Sequence, residues 1–136
     1  MNNQNFLTNI DECREDLQRI RNLISAIGSM SPVAGYLTKF ALIRVCGTLE
    51  ICYKTLIADF YESVSPEMQR YITIHVREAS LNAKYENIKK VLKEFSEEKS
   101  NDYKNIINAR VDKEQILAAM STLNTARNEV AHGGNM

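Results

Sequence analysis

The sequence is poor in the residues that interrupt regular structure. Two prolines and five glycines in 136 residues leave little material for tight turns. That shortage excludes an all-β sandwich or barrel and favours helices. An excess of charge of one sign is also missing. Lysine plus arginine equal aspartate plus glutamate at 17 each, so no broad basic surface exists for sustained binding along a duplex. The balance leaves room for a small, local RNA site. Cysteine is sparse, with only Cys13, Cys46 and Cys52. An odd count without CxxC or Cys–His spacing supports neither a zinc cage nor a disulfide framework. Free buried thiols in a reducing cytosol are the reading that remains. No apolar run approaches the roughly 20 residues of a membrane span. The opening "MNNQNFLTNIDE" has neither the basic nor the apolar region of a signal peptide. Together these absences predict a cytoplasmic protein with no membrane partner, no metal and no other cofactor.

What is present reads as an ordinary globular chain. The apolar fraction of 44% is enough for a core, and the length predicts one domain over residues 1–136. From about Asn3 to Ile27, the residues Phe6, Ile10, Cys13, Leu17, Ile20, Ile24 and Ile27 recur at helical steps. "GSMSPVAG" breaks that pattern. A long apolar second helix follows from about Tyr36 to Glu62. It has Leu42, Val45, Leu49, Leu56 and Phe60 on one side, and Arg44, Thr48, Thr55 and Asp59 on the other. Ser65 and Pro66 start a further helical stretch reaching about Glu98, in one or two pieces. "YITIHV" within it alternates like a strand, but no partner run exists, so helix is the expectation there. "EEKSNDYKN" reads as a polar loop. Asp112 with Gln115 forms a capping-box pattern for the last helix. Its stripe is Ile116, Met120, Leu123 and Val130, and Gly133 or Gly134 ends it. The expected architecture is an all-α bundle of four to five helices.

Candidate chemistry concentrates in "ARNEVAHGG", residues 126–134. Arg127 precedes His132 by five places, but so does Arg70 precede His75 in "RYITIH", so the spacing alone has little force. Context separates the two pairs. Arg127 is followed by Asn128, and His132 closes a helix against glycines. His75 lies inside a β-branched stretch, where a core or surface histidine is the plainer reading.

An all-α chain ending in R-N-x-x-x-H resembles the HEPN superfamily. "ARNEVAHG" resembles the R-N-x-x-A-H-G of RiboL-PSP-type HEPN domains. "FALIRVCGTLEICYKTLIADF" resembles their long second helix, down to Leu49-Glu50. The resemblance implies a metal-independent endoribonuclease, acting as a homodimer in a toxin–antitoxin or antiphage system and held by an antitoxin. A branch with H-x-Y after the arginine goes with nucleotidyltransferase partners, and His132-Gly133-Gly134 departs from it.

Metal-free RNA cleavage needs a proton-transfer group and a cation for developing phosphoryl charge. A histidine suits the first and an arginine the second. The catalytic candidates are therefore His132 for proton transfer, Arg127 as phosphate clamp and Asn128, one turn before His132, to orient the imidazole or a phosphate. Residues five apart on a helix differ by about 140° in azimuth. Arg127 and His132 thus face apart unless the glycine end unwinds, and a two-fold pairing of last helices would build a composite site at the dimer interface. Glu50 reads either as a supporting carboxylate near that cleft or, more simply, as an ion-pair partner of Lys54. The rival to an enzyme is a non-catalytic helical module that dimerises and binds a partner. Tyr53, Tyr61, Tyr71, Tyr85 and Tyr103 could stack on bases, though tyrosines on helical faces more often belong to a core.

Overall fold

The computed structural model describes residues 4–61 and 63–133. Asn3, Glu62 and Gly134, expected at helix ends, lie outside them. The elements are α1 (Gln4–Ile27), α2 (Pro32–Tyr61), α3 (Pro66–Ile72), a π-helical turn (Thr73–Arg77), α4 (Tyr85–Phe95), α5 (Glu97–Asn108) and α6 (Lys113–Ala131). The fold is all-α, and no strand occurs among the described residues. Six α-helices and the π turn stand among the described residues, approximately the four- to five-helix bundle expected.

The first helical stripe folds as read. Cys13 and Ile20 are buried, while Phe6, Ile10, Leu17 and Ile24 are half-buried. Ile27 is exposed, because the chain turns away there. Gly28 takes φ +88° and its N–H reaches the Ile24 carbonyl at 2.9 Å, the left-handed helix ending that glycine allows.

Helix α2 begins about a turn earlier than expected. Pro32 suits the first helical position, and the Ser31 hydroxyl accepts the Val33 N–H at 3.3 Å. This helix is the axis of the bundle. Its contacts are with α1, with α6, and with α3 and the π turn near its C-terminal end. Burial therefore does not follow one stripe. Thr48, expected to face solvent, is 4% exposed, and its hydroxyl donates to the Arg44 carbonyl at 2.8 Å. Phe60, expected inside, is 54% exposed. Ala34, Leu42, Cys46, Cys52, Tyr53, Lys54, Ile57 and Ala58 are buried along with Thr48, since a helix with several packing neighbours has no single inward face.

The stretch from Pro66 splits. Ser65 caps α3 through the Met68 N–H at 3.1 Å. "YITIHV" stays helical but widens into the π turn, which the Glu78 N–H closes on the Thr73 carbonyl at 2.9 Å. "EEKSNDYKN" is not a loop but lies in α5. The Ser96 hydroxyl caps it through the Lys99 N–H at 3.3 Å, and Glu97 and Glu98 complement the positive end of its dipole. Packing completes the case for helix. Ser100 is buried and donates to the Lys89 carbonyl at 3.0 Å, and Tyr103 stacks on Tyr85 at 5.4 Å.

The main core gathers Tyr53, Ile57 and Ala58 of α2 with Ile72, Val76, Ala83 and Val91. Each fully buried isoleucine or valine there contributes roughly 1.5–3 kcal/mol. Helix α6 is less enclosed. Ile116, Met120, Leu123 and Val130 are half-buried, and its one buried residue is Asn124, whose amide donates to the Met120 carbonyl at 2.7 Å. The expected capping box does not form. Asp112 stands at the N-cap but its carboxylate is held in a fork by Arg110 at 2.8 and 3.0 Å, which also keeps that carboxyl below its usual range.

Candidate functional site at the end of the last helix

Helix α6 carries the "RNEVAH" residues on regular backbone up to Ala131. His132 is the C-cap, and its N–H bonds the Asn128 carbonyl at 3.0 Å. Gly133 then takes φ +76°, with its N–H on the Val130 carbonyl at 3.2 Å. The left-handed glycine ends the helix one residue after the imidazole and leaves His132 exposed.

A groove of about 400 Å³ opens on this end, lined by Thr125, Asn128, Glu129 and His132. Their spacing is i, i+3, i+4 and i+7, one face of a helix. Thr125 is not among the residues singled out from the sequence, although counting back from His132 by helical steps finds it. Asn128 and His132 thus meet on one surface. Neither side chain makes a hydrogen bond within the described residues, so both are open to a ligand.

Arg127 does not line the groove. The helix stays wound through the interval, so the azimuthal separation of about 140° persists. Arg127 is half-buried and its charge acts on the thiol of Cys46 in α2. Burial pushes that thiol up, Arg127 pulls it down, and the Glu50 carboxylate adds a further upward push. The thiol lies 3.4 Å from the Leu123 carbonyl, which fixes this part of α6 against α2. Arg127 makes no hydrogen bond or ion pair among the described residues.

Glu50 is already engaged. Its Oε1 accepts from Lys54 Nζ at 2.7 Å, and the same ammonium also donates to the Ala79 carbonyl. Glu50 is not part of the groove. The competing Arg70–His75 pair has no such setting. His75 is exposed and packs at a tilt against Tyr71 with ring centres 4.4 Å apart. None of the tyrosines lines the groove either. Tyr53 is buried and donates to the Leu81 carbonyl at 2.8 Å, while Tyr61 stacks on Phe95 at 4.4 Å. Among the described residues no three His, Cys, Asp or Glu side chains are grouped to hold a metal ion. No helix there is long and apolar enough to cross a membrane.

An all-helical bundle whose last helix ends in Arg127-Asn128 and a glycine-capped His132 defines the class as a HEPN domain. Residues 9–136 match the RiboL-PSP-HEPN family model, and the chain belongs to that family. HEPN domains are generally ribonucleases or nucleotide-related, and they often dimerise and bind RNA. No curated protein and no solved structure matches the chain.

Proposed function

We propose that this protein is a metal-independent endoribonuclease working as one domain in the cytoplasm. The observation that carries the reading is exposed His132 and half-buried Asn128 lining one groove at the end of a HEPN domain's last helix. The ribose 2′-oxygen attacks its own 3′-phosphorus, forming one P–O bond while the bond to the next nucleotide's 5′-oxygen breaks. The 2′-OH proton leaves to a base and the departing 5′-oxygen gains a proton, giving a 2′,3′-cyclic phosphate and a 5′-OH. His132 is the proton-transfer group. Arg127 offsets charge on the non-bridging oxygens, and Asn128 orients the imidazole or phosphate.

Arg127 points off the groove that holds His132, so one copy offers half a site. The arginine that serves this groove comes from a second copy, which makes the active form a homodimer with composite sites. Such an RNase harms its own cell unless restrained. Its setting is therefore a toxin or defence effector with an antitoxin protein as partner.

The same turning-away of Arg127 supports a second reading, a non-catalytic module in which Arg127 tunes the α2–α6 contact. One experiment separates the two. Purified protein is incubated with structured RNA and EDTA beside Arg127→Ala and His132→Ala. Cleavage by the wild type alone supports the enzyme; three identical outcomes sink it.

A further inference from the structure

Two sides of α2 are spoken for. Arg44 binds Asp16 of α1 at 2.9 Å on one; on the other Cys46 meets α6 and, further along, Tyr53 and Ile57 enter the main core. A third face is bare. Val33, Tyr36, Phe40, Ile43 and Ile51 are 49% to 73% exposed. At 100° per residue they fall within a sector of about 80°, together with Gly47. The stripe runs about 27 Å along the helix. None of its six positions is charged. It ends where Lys54 and Ala58, next on the same sector, are covered at 8% and 0% exposure. Met30 and Ile27, exposed at the α1–α2 turn, add apolar surface near its start.

Gly47 sits in the middle of this stripe. A Cβ there would meet nothing within 4 Å, so no contact inside the chain requires glycine. Mid-helix glycine costs helix stability, which is uncompensated in a lone copy. It becomes useful if another backbone approaches closely.

We infer that a second copy of this chain covers the stripe, with the two α2 helices crossing at Gly47. The pattern is its own complement. Ile43 and Ile51 stand one turn either side of the glycine hollow, and a two-fold axis at Gly47 sets each copy's Ile43 against the other's Ile51. An uncharged stripe brings no like charges together at the axis. A contiguous exposed apolar stripe of this kind marks an interaction surface. Such a dimer is the partner that the ribonuclease reading requires, yet mass rather than cleavage reads it out, so either can fail alone.

Light scattering after gel filtration at micromolar concentration tests the interface. Wild type is expected at twice 15.5 kDa. The double variants Ile43→Glu/Ile51→Glu and Ile43→Lys/Ile51→Lys are expected as monomers, and their equimolar mixture as a dimer. A monomeric wild type overturns the proposal, as does a double-Glu variant that stays dimeric. Should either double variant lose its helical circular dichroism, Gly47→Cys decides. Diamide is expected to join two copies through position 47, each thiol giving up a proton and an electron to the oxidant, and failure to cross-link overturns the crossing.

Discussion

Lys54 Nζ donates to Glu50 Oε1 at 2.7 Å on a part of α2 that the chain after the π turn covers, and Lys54 is 8% exposed. Its other partner is the Ala79 carbonyl, so one ammonium ties α2 to the segment between the π turn and α4. Removing Lys54 strands both acceptors, whereas an amide at position 50 still accepts. Lys54→Met is expected to cost about 2–3 kcal/mol and Glu50→Gln about 1 kcal/mol in urea unfolding. If cleavage per folded molecule survives Glu50→Gln, Glu50 is a strut of the fold and not part of the chemistry.

On the ribonuclease reading, His132→Ala and Arg127→Ala each lower single-turnover cleavage by roughly 10²- to 10⁴-fold. A composite site adds a sharper expectation. Mixing and re-equilibrating the two inactive variants gives heterodimers with one intact site, restoring about a quarter of wild-type activity for a symmetric pair. No recovery means that Arg127 and His132 of the same copy act together.

Gly133 at φ +76° holds the helix end that presents His132. A Cβ there meets no neighbour, so strain comes from the backbone alone. Gly133→Ala is expected to cost about 1 kcal/mol. Amide exchange at His132 and Gly133 should quicken while the main core stays protected, and exchange rates equal to wild type would refute this.

Ser96 makes α5 a helix out of a strongly polar stretch. Ser96→Ala removes the bond to the Lys99 N–H and should destabilise by about 1 kcal/mol. Loss of helicity confined to residues 97–108, read from chemical shifts, is the expected signature.

Alkali should unfold the protein through its buried acids. Tyr103 is pushed up to about 12 by burial and by its neighbours Tyr85 and Glu86, and burial also raises Tyr53, Cys46 and Cys52. Each raised group favours its neutral form in the fold. Its contribution is full below the unfolded value and is lost as pH climbs through the folded one. Stability should therefore fall from about pH 9 for the thiols and from about pH 10 to 12 for Tyr103. Denaturant midpoints across that range check the sign, and Tyr103→Phe should flatten the upper part.

Local chemistry was legible without coordinates. The scarcity of proline and glycine, the three- and four-residue apolar steps of α1, the Ser65 cap and the glycine at 133 each act within a few residues, so the chain order alone determined them. The Arg127, Asn128 and His132 ending was visible for the same reason, as was their angular separation on a regular helix. Matters settled through space were not. Asp112 looked like a cap until Arg110 took its carboxylate, and "EEKSNDYKN" looked like a loop until Ser100 and Tyr103 found α4. Thr48 is inside and Phe60 outside because three neighbours surround α2, and a single-stripe pattern assumes one. The bare face from Val33 to Ile51 lies off the apolar side that the sequence assigns to α2. Only the packing of α1 and α6 on other sides of α2 left it open, because burial depends on which neighbour arrives and the order of residues does not name that neighbour.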